Sequence, residues 1–73
     1  MENFDVKKIR LTMCLSQNKF AAKIGITQGT LAKIEAGTLR IDKYYEIIQE
    51  VTEGWKEYKI RQLEKEIEFI KSL

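Results

Sequence analysis

Residues 17–36, QNKFAAKIGITQGTLAKIEA, decide the fold of this chain. Ala21 is followed four residues later by Gly25, and the apolar residues Leu31 and Ile34 come after the glycine. A small side chain such as that of Ala21 lets two helices approach closely. Gly25 can adopt the positive φ that a sharp bend requires, because it has no Cβ. The stretch therefore predicts two short helices joined by a tight turn.

The second of these helices has a predicted start and two predicted faces. Thr27 is a good N-cap, because its hydroxyl can accept a hydrogen bond from the backbone N–H of Gly29 or Thr30. Leu31 and Ile34 lie three residues apart, so they share a face and pack back onto the first helix. The opposite face carries side chains that can hydrogen-bond base edges or phosphates in a DNA major groove: Gln28, Thr30 and Lys33.

Length and composition bound the class of protein. A chain of 73 residues makes one small domain, which would bury only about 60% of its unfolded surface and be marginally stable alone. Proline is absent, and no run alternates apolar and polar residues between turn signals, so the chain is predicted to be all-α. No signal peptide and no apolar run of about 20 residues is present. We therefore expect a cytoplasmic protein without membrane contact.

Charge is unevenly distributed along the chain. Residues 6–43 hold eight basic and two acidic residues, a local charge of +6, whereas the part from Glu46 onward carries −2. A basic half joined to a slightly acidic helical tail is typical of a domain that presents one face to phosphates and another to protein.

The residue types argue against an enzyme. Histidine is absent, which excludes imidazole-based catalysis and histidine metal sites. The single cysteine, Cys14, cannot form an intrachain disulfide and is predicted to be a small core or boundary residue. Glu64, Glu66 and Glu68 stand on a terminal helix with interleaved lysines, which is typical of a solvated face. We expect no catalysis, no cofactor and no metal.

Hydrophobic periodicity and cap residues predict five helices. The first three are expected at about 5–14, 17–24 and 28–36. A fourth helix is capped by Asp42, and a last helix at about 55–73 follows an interruption at Thr52 and Gly54. The other predicted caps are Asn3 or Asp5, Ser16 and Thr27 at N-termini, and Gly37 at the C-terminus of the third helix. The fourth helix is expected to turn the following residues inward: Tyr44, Tyr45, Ile47, Ile48 and Val51.

The last helix carries an apolar stripe. Ile60, Leu63, Ile67 and Ile70 are spaced by three, four and three residues, which is the a/d pattern of a coiled coil. The stripe could cover the domain's own core. Because four helices already close a compact unit, dimerisation is the favoured interpretation. The predicted dimer interface consists of Trp55, Ile60, Leu63, Ile67 and Ile70.

Residues 9–51 resemble the lambda-repressor-like, or Cro-like, helix-turn-helix regulators of phages and bacterial mobile elements. The resemblance rests on IRLTMCLSQNKFAAKIGITQGTLAKIEAG, residues 9–37. It implies an all-α, five-helix lambda-repressor-like DNA-binding domain. Residues 1–52 would form the DNA-binding domain, with the helix-turn-helix at 17–36, and residues 53–73 a C-terminal amphipathic dimerisation helix.

The resemblance also assigns site residues, together with the chemistry of the side chains. Base contacts are expected from Gln28, Gly29, Thr30 and Lys33. Phosphate contacts are expected from Gln17, Asn18, Lys19, Thr27, Thr38, Arg40 and Lys43. Arg10 and Glu35 stand where many members have a semi-buried ion pair. Two features depart from the family: Gly29 replaces a side chain that often reads a base, and the segment after Gly37 lacks the common proline-containing turn.

Three functions are consistent with these expectations. The favoured one is a homodimeric, sequence-specific regulator of double-stranded DNA, most simply a phage or mobile-element repressor. It would bind a palindromic operator whose half-sites lie one turn apart, roughly 34 Å, a spacing typical of this family. An antitoxin or a restriction-modification controller would use the same fold. The third alternative is a helical module that binds no DNA and recruits a protein partner through its C-terminal helix.

Overall fold

Helices make up most of the structure, a computed structural model that describes residues 5–73. The elements are α1 (Val6–Thr12), α2 (Gln17–Ile24), α3 (Gln28–Ala36), a short 3-10 helix (Asp42–Tyr44) and α4 (Tyr45–Lys71). The described residues contain no strand. The all-α prediction is therefore confirmed.

The first three helices start at side-chain caps. In each case the cap oxygen accepts a hydrogen bond from the backbone N–H three residues later, over 3.0, 3.2 and 3.1 Å. The caps are Asp5, Ser16 and Thr27. All three were predicted, while the alternative cap Asn3 lies outside the described residues. Short polar side chains thus fix where the chain enters each helix.

The same three helices end in one shared motif. A residue with positive φ follows each helix: Cys14 at 61°, Gly25 at 80° and Gly37 at 82°. Its N–H bonds the carbonyl three residues back, and the next N–H bonds the carbonyl five residues back, as in a Schellman motif. The two glycines were predicted to adopt this conformation, whereas Cys14 was not.

Cys14 corrects two expectations. The prediction that it is a core or boundary residue is wrong, because the residue is exposed. The first helix also ends at Thr12 rather than at Cys14. Both differences have one cause: the chain reverses at this position in a left-handed conformation, which turns the side chain out of the helix.

The core lies where α2, α3 and α4 meet. Phe20, Leu31 and Ile48, one from each of these helices, are completely buried at its centre. The other buried apolar residues surround them: Val6, Met13, Ala21, Ile24 and Ile34. Leu31 and Ile34 therefore pack against the face of α2 that the sequence indicates.

Helix α4 replaces the two separate helices that the sequence predicts. Asp42 begins the 3-10 helix and caps nothing, and α4 then continues without interruption through Thr52 and Gly54. The Thr52 hydroxyl donates to the Ile48 carbonyl at 2.7 Å. A glycine inside a helix costs only about 1 kcal/mol relative to alanine, and no proline is present. The predicted break between two helices is wrong, because neither Thr52 nor Gly54 ends α4. The expected boundary between residues 52 and 53 lies inside this helix.

Only the first part of α4 contacts the core. Ile48 is fully buried, and Val51 and Trp55 pack half-buried against the core, as does Tyr44 at the end of the 3-10 helix. The expectation that Tyr45 and Ile47 also face inward is wrong, because both are exposed. Every residue from 56 to 73 is exposed as well. The helix extends beyond the core, which gives the molecule an elongated shape of 50 × 28 × 17 Å.

Candidate nucleic-acid interface

A buried ion pair joins the first helix to the third. The Arg10 Nε lies 2.7 Å from Glu35 Oε2, and Nη2 lies 3.1 Å from Oε1, so the contact is bidentate. The two side chains are only 9% and 5% exposed. Arg10 Nη1 also donates to the Leu15 carbonyl at 3.0 Å. One guanidinium thus holds α1, α3 and the loop between α1 and α2.

The electrostatics of this pair favour its charged form. Burial acts to raise the pKa of Glu35, but hydrogen bonds from Arg10 and Gln17, with the charges of Arg10 and Lys7, outweigh it and lower the pKa. The hydrogen bond to Glu35 raises the pKa of Arg10 further. Glu35 is therefore a carboxylate at neutral pH and only accepts hydrogen bonds.

Two glutamines extend this ion pair to the surface. Gln17 Nε2 donates to Glu35 Oε1 at 3.0 Å, and Gln17 Oε1 accepts from Gln28 Nε2 at 2.6 Å. Because Glu35 only accepts, it turns the Gln17 amide nitrogen inward and the oxygen outward. That oxygen needs a donor, so Gln28 presents its nitrogen to Gln17. The orientation of both amides follows from a buried carboxylate.

The hydrogen bond between Gln17 and Gln28 is not among the predictions from sequence, although the positions of the two residues in their helices indicate it. Gln17 follows the N-cap Ser16, and Gln28 follows the N-cap Thr27. Each glutamine is therefore the first residue of its helix. Since the helix-turn-helix brings the beginnings of its two helices together on one side, equivalent positions can touch.

The outward face of α3 carries the predicted base contacts. Gln28, Gly29 and Lys33 are exposed, whereas Thr30 is half-buried. The Thr30 hydroxyl lies 2.8 Å from that of Thr27, so these two predicted DNA contacts already pair with each other. A Cβ at Gly29 would meet no atom within 4 Å. This position therefore has room for a side chain.

The predicted phosphate contacts fall into two groups. Asn18 and Lys19 are exposed in the first turn of α2, beside Gln17. Apart from Thr27, which caps α3, the others follow this helix. The Thr38 hydroxyl donates to the Lys33 carbonyl at 3.2 Å, and Arg40 pairs with Asp42 at 2.9 Å on the surface.

The last predicted phosphate contact is Lys43, whose Nζ lies 5.8 Å from the ring centre of Tyr44. The structure thus brings Gln17 and Gln28 into contact. Within residues 5–73, no hydrogen bond or ion pair joins Thr38, Arg40 or Lys43 to either glutamine.

The predicted dimer residues separate into two faces of α4. Ile60, Leu63, Ile67 and Ile70 are 53, 44, 51 and 61% exposed, and we call them the seam. Trp55 instead packs half-buried against the core. It lines an apolar groove with Ile9 and Met13, between α1 and α4. Trp55 therefore lies on the core-facing side of the helix, apart from the seam, and its part in a dimer interface stays a prediction.

A family model described as helix-turn-helix matches residues 6–47, which include all of α1, α2 and α3. The chain belongs to the Cro/C1-type helix-turn-helix family. This result confirms the resemblance seen in the sequence. No curated protein and no solved structure matches the chain.

Membership in this helix-turn-helix family indicates the general class of function. The family domain is a DNA-binding regulatory domain, so the match supports binding of double-stranded DNA by a transcriptional regulator. Among the residues that the structure covers, no helix is long and apolar enough to cross a membrane. The same part of the chain contains no cluster of metal-ligating side chains.

Proposed function

We propose that this helix-turn-helix protein is a sequence-specific transcriptional regulator that binds double-stranded DNA as a homodimer. Each protomer would insert the N-terminal half of α3 into a major groove. Two protomers would then occupy the half-sites of a palindromic operator, roughly 34 Å apart. The simplest biological role is that of a repressor from a phage or mobile element.

The observation that carries the proposal is the oriented amide of Gln28. One hydrogen of its Nε2 is donated to Gln17. An amide NH2 has a second hydrogen, and the amide oxygen can accept, so a donor and an acceptor remain to face a base edge. Adenine offers N7 as an acceptor and the N6 amino group as a donor, which matches this pair of atoms. Gln28 therefore reads adenine, and Gly29 leaves space beside it.

The start of α2 supplies the complementary contact to the DNA backbone. Its first turn holds Gln17, Asn18 and Lys19, with no acidic residue among them. Backbone N–H groups at a helix N-terminus and the helix dipole favour an anion such as phosphate. A lysine in that turn adds a full positive charge. Phosphate contacts made here would set the angle at which α3 enters the groove.

A binding selection with randomised duplexes tests the proposal through two variants. Gln28→Ala should weaken binding to the preferred site by about 1–3 kcal/mol and relax selection at one base pair in each half-site. Lys19→Ala should weaken binding to all sequences alike. It should also make the slope of the logarithm of affinity against the logarithm of salt concentration shallower by about one. Gln49→Ala changes an exposed glutamine on α4 and is the matched control. A Gln28→Ala protein that keeps wild-type selectivity would refute the assigned role.

The exposed seam favours a second candidate, a module that binds a protein partner and no DNA. Four large apolar side chains on a projecting helix are a feature that such a module would use. A labelled duplex separates the two functions. A regulator should shift the duplex in a salt-dependent manner, whereas a pure protein-interaction module should leave it unshifted.

A further inference from the structure

The seam and the core-facing side of α4 point in different directions. At about 100° per residue, the mean direction of Ile60, Leu63, Ile67 and Ile70 lies about 110° around the helix from that of the core-facing residues. Those core-facing residues are Ile48, Val51 and Trp55. The seam is therefore no extension of the core-covering face. It is a second apolar face, and no residue from 5 to 73 buries it.

The residues beside the seam carry a charge pattern. With Ile60 and Ile67 at a positions, Leu63 and Ile70 occupy d positions. The flanking g positions then hold Lys59 and Glu66, and the e positions hold Glu64 and Lys71. All four flanking residues are exposed. The two sides of the seam thus alternate in sign.

We propose that the seam binds the seam of a second copy as a parallel, in-register, two-stranded coiled coil. This inference rests on the homodimer of the proposed function and specifies its geometry. In a parallel pair each g residue faces the e residue five positions later on the other helix. Lys59 then faces Glu64 and Glu66 faces Lys71, which gives four opposite-charge contacts in the dimer. Isoleucine at both a positions with Leu63 at d also favours two strands, whereas Ile70 at the other d position does not add to this preference.

The antiparallel alternative has less favourable charge contacts. Full overlap of two antiparallel seams places Ile60 beside Ile70 and Leu63 beside Ile67. Glu64 would then face Glu64 of the other copy, and Glu66 would face Glu66, near the centre of the interface. Glu57 and Lys71 would pair at the two ends. Like charges at the centre disfavour this arrangement, so the e and g residues select the parallel one.

The parallel arrangement also suits the DNA. Ile48 lies about 25 Å along the helix from the middle of the seam, at 1.5 Å per residue. An antiparallel pair would place the two cores about 50 Å apart along the helix axis, at opposite ends of the coiled coil. A parallel pair places both helix-turn-helix units at the same end, where they can reach neighbouring half-sites on one face of a duplex.

Charge reversals in the full-length protein test the orientation. Lys59→Glu or Glu64→Lys alone should each weaken dimerisation about tenfold in sedimentation equilibrium, because two attractive contacts become repulsive. The combined Lys59→Glu/Glu64→Lys protein should recover wild-type dimerisation. An antiparallel dimer would respond differently, since Lys59 then has no charged partner and Glu64 faces itself. Single variants that dimerise like the wild type would overturn the proposal.

A disulfide test reads the same geometry directly. Ile70→Cys in a Cys14→Ser background should form a covalent dimer on mild oxidation, because a parallel register brings the two positions 70 together. In an antiparallel pair they lie about 15 Å apart, too far for a disulfide. A cross-link only in a mixture of Ile60→Cys and Ile70→Cys proteins would establish the antiparallel form. A protein that stays monomeric yet shifts a duplex would overturn this inference and leave the DNA-binding function standing.

Discussion

At the scale of single residues, the Arg10–Glu35 pair is the contact with the largest expected effect on stability. Removing one partner leaves a buried charge without compensation, so Arg10→Met and Glu35→Leu should each destabilise the fold by about 3–5 kcal/mol. The double variant should recover part of that loss. Urea unfolding of the four proteins gives the double-mutant cycle. Strictly additive losses would mean that the two residues do not interact.

The same pair predicts how stability depends on pH. The pKa of Glu35 in the folded protein lies below its ordinary value of 4.5. Its stabilising contribution is therefore complete above that value and is lost as the pH falls through the lower, folded-state pKa. Arg10 stays charged throughout. Melting temperatures measured between about pH 3 and 7 should fall more steeply in acid for the wild type than for Arg10→Met/Glu35→Leu. Parallel curves would contradict this assignment.

The sequence predicts individual contacts of this kind unevenly. Arg10 and Glu35 were paired through the resemblance to a family, because 24 intervening residues give no local signal. Gln17 and Gln28 were assigned separate DNA contacts, and their hydrogen bond was missed. Their contact depends on the angle between two helices, which hydrophobic periodicity does not specify.

At the scale of the helices, Cys14 stands where the two equivalent positions hold glycine. A left-handed conformation costs an L-residue about 1–2 kcal/mol, whereas glycine adopts it freely. Cys14→Gly should therefore stabilise the protein by about 0.5–1 kcal/mol, after allowance for the larger entropy of glycine in the unfolded chain. Cys14→Ala keeps the Cβ and is the control. A Cys14→Gly protein with a lower urea midpoint than Cys14→Ala would show that the conformation imposes no strain here.

The starts of the first three helices were predicted more reliably than the course of the fourth. A cap such as Ser16 or Thr27 can be recognised from its residue type, because its side-chain oxygen accepts a hydrogen bond from a backbone N–H of the same helix. Gly54 gives an ambiguous signal, because glycine both terminates helices and occurs inside them. Whether α4 continues depends on the core contacts that hold its first turns, and these are not visible in a local stretch of sequence.

At the scale of the whole molecule, the proposed dimer would form through a part of α4 that does not contact the core, so dimerisation should be separable from folding. Leu63→Glu with Ile67→Glu places like charges across the seam without touching the core, so a folded monomer is expected. Operator binding should weaken by roughly 100-fold, because the second half-site contact is no longer intramolecular. Sedimentation and circular dichroism together test this. Tyr58→Glu with Phe69→Glu alters exposed residues off the seam and should stay dimeric.

Two results would contradict this prediction. A Leu63→Glu/Ile67→Glu protein that remains dimeric would place the interface elsewhere. One that loses its helicity would mean that the protomer is not stable without its partner. In the first case the seam has no role in assembly, and in the second folding and dimerisation are one event.

Because α4 is one unbroken helix, it sets the angle between the helix-turn-helix and the seam. That angle depends on the number of residues between them. Each residue inserted between Trp55 and Lys59 would turn the helix-turn-helix by about 100° relative to the proposed dimer axis and move it by about 1.5 Å. One added residue should therefore abolish operator binding while the protein stays dimeric. Seven added residues restore the phase to within about 20°. In the proposed dimer, the half-site spacing that the protein accepts would be encoded in the length of a single helix, far from the surface that would read the bases.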